Sequence, residues 1–141
     1  MLIKQVSVIM ENRSGRLNEI SQILGEAGIN ISAFSVADTA EFGILRLIVS
    51  DPEKAMEILQ QRGFTVRQTE VVCLSCPNQA GALARALKIL SRNEISIEYM
   101  YALSMGDAAN IIMKPNDVER CIEVLQKNKL ELIRASDLYK I

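Results

Sequence analysis

Histidine and tryptophan are absent from all 141 residues, and aromatic residues make up only 4% of the chain. The missing histidine removes the commonest general base and the commonest metal ligand together. Lys, Asp and Tyr remain, but no nucleophile elbow, phosphate-binding glycine loop or meaningfully spaced carboxylate pair accompanies them. The sequence thus argues against an enzyme and names no cofactor. Neither sign of charge prevails: 16 Lys and Arg against 17 Asp and Glu, interspersed, leave a formal net charge of −1 and no basic stripe to neutralise phosphates. Nucleic acid is not an expected partner. No apolar run approaches the roughly 18 to 20 residues of a membrane span, and Met1-Leu2-Ile3-Lys4 lacks a charged leader with a cleavage site. A cytoplasmic protein without a membrane partner is expected. Three cysteines, an odd number, suit reduced thiols rather than a disulfide framework.

What the chain does contain is enough apolar sequence to fold, at 49% apolar and 23% charged residues. It also repeats itself. An offset of 66 residues lays Asn12 on Asn78 and Gly15-x-Leu17 on Gly81-x-Leu83. The same offset lays Ile29-Asn30-Ile31 on Ile95-Ser96-Ile97 and the run from Met56 to Gln60 on that from Ile122 to Gln126. One offset serving both ends of the unit is a duplication, dividing the chain into residues 1–69 and 70–141. Units of about 65 to 70 residues lie near the lower limit for an independent core, so the two are expected to be joined.

In the first copy, Val6, Val8 and Met10 alternate with Gln5, Ser7 and Ile9, which reads as a strand with its better apolar face inward. After the break at Glu11 to Gly15, Leu17, Ile20, Leu24 and Ala27 follow helical spacing, with Gly28 as a stop. Residues Ile29 to Thr39 and Ile44 to Ser50 are rich in β-branched and aliphatic types and flank a turn at Ala40-Glu41-Phe42-Gly43. Asp51-Pro52 then caps a helix with apolar positions Ala55, Met56, Ile58 and Leu59, closed by Gly63, and a last strand starts at Phe64. The second copy repeats this with a strand over Val71 to Cys76, a helix from about Gly81, and strands over Ile95 to Ser104 and Ala108 to Met113. Its last helix is expected to start at a capping box of Asn116 and Glu119. The order β-α-β-β-α-β predicts an α+β fold: two ferredoxin-like units in tandem, each a four-stranded antiparallel sheet with both helices on one face. With no linker between them, the sheets are expected side by side or exchanging a strand.

Two further constellations have a stronger structural than functional reading. Cys73-Leu74-Ser75-Cys76 has C-x-x-C spacing, but residues three apart on a strand point to opposite faces, whereas a metal or redox pair needs converging sulfurs. Inert, buried cysteines are the better reading, for Cys121 as well. Tyr99 and Tyr101 have the spacing of base-stacking residues but no basic neighbours, so they read as sheet cover.

The loop between first strand and first helix remains: Asn12-Arg13-Ser14-Gly15 in one copy, Asn78-Gln79-Ala80-Gly81 in the other. Capping and a tight turn would account for such residues. A ligand would account for them too, since glycine admits close approach, helix N-terminal N–H groups favour a carboxylate, and Asn both donates and accepts. Such a site suits an amino acid.

Glu11-Asn12-Arg13-Ser14-Gly15-x-Leu17, followed by Gly28-Ile29-Asn30-Ile31, resembles the ligand loop and second strand of ACT domains, and both copies fit. Ser14 stands where the most similar ACT motif has proline. The resemblance implies amino-acid sensing, with ligands held between the loop of one unit and the second strand of another. Carried over, one site uses Asn12, Arg13, Ser14, Gly15 and Leu17 with Ser96 and Ile97. The other uses Asn78, Gln79, Ala80, Gly81 and Leu83 with Asn30 and Ile31, and is expected to bind more tightly because it keeps both amide side chains. The expected protein is a stand-alone, allosteric amino-acid-binding regulator of a separate enzyme or protein, as a monomer or homodimer. The alternatives are a ligand-free protein-interaction module and, third, a metal or redox protein using Cys73 and Cys76.

Overall fold

The computed structural model describes residues 2–11, 14–38, 41–105 and 107–139, with backbone alone at 38, 104 and 105. The chain runs β1 (Ile3–Glu11), α1 (Arg16–Glu26), β2 (Ile31–Asp38), β3 (Phe42–Val49), α2 (Pro52–Gln61) and β4 (Thr65–Pro77). It continues through α3 (Ala82–Arg92), β5 (Ile97–Met105), β6 (Ala108–Pro115), α4 (Val118–Lys127), β7 (Glu131–Leu132) and α5 (Ala135–Leu138). Two compact units result, one built on Lys4–Thr69 with the C-terminal residues from Leu138, the other on Glu70–Asp137 with the N-terminal residues up to Ile3. The division falls inside β4, so that one 13-residue strand ends the first unit and begins the second.

In the first unit the strand order is β2-β3-β1-β4, in the second β5-β6-β4-β7. This is the ferredoxin-like order, reached twice. Val6 faces Leu47 and Val8 faces Leu45 in the antiparallel β1–β3 ladder. These residues meet Ile20, Ile23 and Leu24 of α1 and Ala55 and Leu59 of α2 in one core. The second unit sets Val72, Leu74 and Cys76 of β4 and Ile111 and Met113 of β6 against Ala86 and Leu90 of α3 and Val124 and Leu125 of α4. Period-2 alternation on the strands and period-3.6 spacing on the helices converge on the same core because each element has one apolar side to bury.

Several expectations need correction. Gln5 and Ser7, assigned to the poorer face of β1, are buried as well, and Gln5 Nε2 donates to Ser7 Oγ at 3.1 Å, as buried polar groups require a partner. Phe42 and Gly43, expected in the hairpin turn, already pair in β3, Phe42 with Glu11 and Gly43 with both Met10 and Asp38, while residues 39 and 40 of that segment lie outside the described residues. Helix α4 is capped by Asp117, whose carboxylate accepts the Arg120 N–H at 3.1 Å, and not by Asn116. Asn116 is occupied elsewhere, as described below. Leu17, placed on the apolar face of α1, is 46% exposed.

The cysteines are as expected. Cys73, Cys76 and Cys121 are free and buried, and Cys76 lies in the helix-facing core while Cys73 does not. Burial pushes the Cys73 thiol up to about 12 and the Cys121 thiol to about 11.

Candidate ligand-binding site

The glycines anticipated in the two loops stand in the left-handed region, Gly15 at φ 88°, ψ −10° and Gly81 at φ 87°, ψ −11°. Each begins the first helix of its unit, where a side chain other than glycine would be strained. Having no side chain, neither caps its helix. The second helix of each unit starts differently: Asp51 accepts the Lys54 N–H at 3.2 Å, as Asp117 accepts that of Arg120. Helices α1 and α3 thus lack the side-chain acceptor that α2 and α4 have, while the Ala82 N–H donates to the Gln79 carbonyl at 3.2 Å; a helix start without a side-chain cap is one that can receive an anion.

Asn12 and Arg13 lie outside the described residues; Ser14 is an exposed turn residue. In the second unit Asn78, Gln79 and Ala80 are exposed, and the Asn78 N–H donates to the Asp107 carbonyl at 2.7 Å, tying the loop to the start of β6. Asn78 and Gln79 line a cavity of about 560 Å³ with Ser75, Cys76, Pro77, Asp107, Ala108 and Glu131.

Asn30 and Ser96 precede β2 and β5, and each is held by a reciprocal pair of bonds. Asn30 N–H donates to Ser50 Oγ at 3.0 Å, and the Ser50 N–H returns to the Asn30 carbonyl at 2.9 Å. Ser96 N–H donates to Asn116 Oδ1 at 3.2 Å, and the Asn116 N–H returns to the Ser96 carbonyl at 2.9 Å. The sequence reading missed Ser50 and Asn116, although the 66-residue offset that aligns Asn30 with Ser96 also aligns them.

Leu17 and Ile31 come together. They line an apolar groove of about 250 Å³ between α1 and β2, with Asn18, Ser21, Phe34, Val36, Leu45 and Leu47. Strand β2 ends the strand order, and Phe34 is 63% and Val36 45% exposed, so the groove continues into an exposed apolar strip. Leu83 and Ile97 are half-buried against the core of the second unit.

A glycine-started helix, an adjoining edge strand and a doubled βαββαβ unit agree with the model of an ACT domain pair, which matches residues 1–141. The chain belongs to the ACT domain family. Among solved structures, this ACT pair is similar to protein BT0572 from Bacteroides thetaiotaomicron, with 48% identity, a TM-score of 0.97, and coverage of 100% of this chain and 98% of that one. It also shares its fold with the ligand-free regulatory subunit of aspartate kinase from Thermus thermophilus, at 15% identity and TM-score 0.67, over 89% of this chain and 93% of that one. The Thermus flavus regulatory subunit of aspartate kinase gives 14% identity and TM-score 0.63, over 88% and 90%. No curated protein matches the chain. Among the described residues, no helix is long and apolar enough to cross a membrane.

Proposed function

We propose that this ACT pair is a regulator that binds a small amino acid through the loops that end at Gly15 and Gly81 and passes its occupancy to an enzyme or other protein. The observation that carries the reading is the contrast within each unit. Helices α2 and α4 are capped by aspartate, while α1 and α3 begin at left-handed glycines and carry no side-chain cap, which suits a carboxylate. A duplicated fold needs the same packing twice, yet both copies omit a stabilising cap at the same helix. That omission fits a terminus reserved for a ligand. The resemblance to ACT domains adds that the second strand of a unit completes such a site, which makes Asn30 and Asn78 the side chains on which binding should most depend. Regulation follows if the amino acid favours one arrangement of the protein over another.

Titration calorimetry with each amino acid tests this on the parent chain and on Asn30→Ala and Asn78→Ala. Saturable binding weakened in both variants supports the reading; binding unchanged in both contradicts it.

A second reading is favoured by one observation. The exposed strip of Leu17, Phe34 and Val36 is a surface that a protein partner could cover without any small ligand. In that case no amino acid binds, and polar substitution of Phe34 changes association instead.

A further inference from the structure

The two units share a fold but differ in packing along their first helices. In the first unit, Leu17 in the first turn of α1 and Ser21 one turn on line an apolar groove of about 250 Å³, together with Phe34 and Val36 of β2 and the buried Leu45 and Leu47 of β3. Ser21 adds little polarity to it, because its Oγ donates to the Asn18 carbonyl of the same helix at 2.9 Å.

The duplication supplies an internal comparison. At the 66-residue offset, Ser21 corresponds to Leu87, Leu17 to Leu83, Phe34 to Met100 and Val36 to Ala102. Leu83 and Leu87 are half-buried against the core of the second unit, whereas Leu17 is 46% and Phe34 63% exposed. The second unit thus covers this place with a leucine side chain of its own, and the first, with serine there, leaves apolar surface open. Such surface is stabilised by an apolar group from outside. At about 250 Å³ the groove is smaller than the roughly 300 to 1,000 Å³ pocket of a drug-sized ligand, which suits a single side chain.

We propose that this groove receives the side chain of the bound amino acid, so that the ligand is an apolar one of about leucine's size, held once per chain in the first unit. The inference rests on the amino-acid reading of the loop that ends at Gly15 and adds the class of side chain to it. Leu17 is the second residue of α1, so the groove begins within the first helical turn after that glycine, and Ile31, next to Asn30, lines it as well. A polar side chain would lose hydration there without gaining a partner, and glycine or alanine would leave the groove unfilled.

The experiment is titration calorimetry of the full chain with leucine, methionine, alanine, serine and aspartate. Ser21→Leu is the main variant, because leucine already stands at the equivalent position in the second repeat and is the better helix former. Leucine or methionine should bind at one site per chain, at least tenfold tighter than alanine, with serine and aspartate weaker still. Ser21→Leu should bring the ratio of leucine to alanine affinity close to one, and Phe34→Ala, at an exposed position, should lower the same ratio from the β2 side. Alanine, serine or aspartate binding as tightly as leucine, a ratio unmoved in both variants, or a second leucine site of equal affinity overturns the groove assignment and leaves the amino-acid reading standing. No binding of any of the twenty amino acids overturns that reading, and this inference with it.

Discussion

Asn30 and Ser50, 20 residues apart in the first unit, exchange two hydrogen bonds at 3.0 and 2.9 Å, and Ser96 and Asn116 repeat the exchange in the second. The bonds fix the entry to β2 and β5 through the backbone. Ser50→Ala removes the acceptor of the Asn30 N–H and should cost about 1 kcal/mol by denaturant unfolding, as should Asn116→Ala through Ser96. An unchanged midpoint in both would deny the clamp any role.

Gly15→Ala and Gly81→Ala should each destabilise by about 1 kcal/mol, from backbone strain and not from crowding. A Cβ at Gly15 meets nothing within 4 Å. Asparagine, which tolerates the left-handed region, should restore part of the loss. Equal losses for Ala and Asn, read from thermal midpoints, would point to another cause.

The caps make a position-specific prediction. Asp117→Ala should cost about 1 kcal/mol by loss of the bond to the Arg120 N–H, and Asp51→Ala the same through Lys54. Glu119→Ala should be near neutral in the same assay, since the capping box in which it was expected does not form at Asn116.

The buried thiols predict both reactivity and a pH dependence. With Cys73 held up at about 12 and Cys121 at about 11, neither should react with a thiol reagent at pH 8 until the chain is unfolded. Raised folded values mean that the folded state holds these protons more tightly. Their contribution to stability is complete below the ordinary thiol value near 9 and is lost as pH rises through 11 to 12. Unfolding midpoints measured from pH 8 upward should fall, and less steeply in Cys73→Ala.

The doubled fold was legible because its signals are local and periodic. The offset aligning Gly15 with Gly81 also aligns α1 with α3, β2 with β5, β3 with β6 and α2 with α4, leaving only the short α5 without a helical counterpart among the described residues, and Asp51-Pro52 marks a helix start unaided. Asn116 and Asp117 are adjacent residues of equal capping ability, so local sequence alone leaves two starts for α4. The repeat resolves it, since Asp117 aligns with Asp51 and Asn116 with the clamp residue Ser50. Burial of Gln5 and Ser7 was hidden because alternation records hydrophobicity, and a hydrogen-bonded polar pair looks solvent-facing in sequence. The cavity of about 230 Å³ lined by Glu11, Arg16, Phe42 and Arg62 was hidden too, its walls coming from segments that only the fold brings together. The loop glycines were found from sequence; that their helices lack side-chain caps is a conformational fact.

The central claim, that this ACT pair binds an amino acid, is tested most directly by thermal unfolding of the purified chain against the twenty amino acids. A ligand at about 100 times its dissociation constant adds roughly 2.7 kcal/mol, which for a chain of this size raises the midpoint by about 5 to 10 °C. The account predicts such a shift with one or a few amino acids, diminished in Asn30→Ala and Asn78→Ala. An unmoved midpoint with all twenty at millimolar concentration would contradict it.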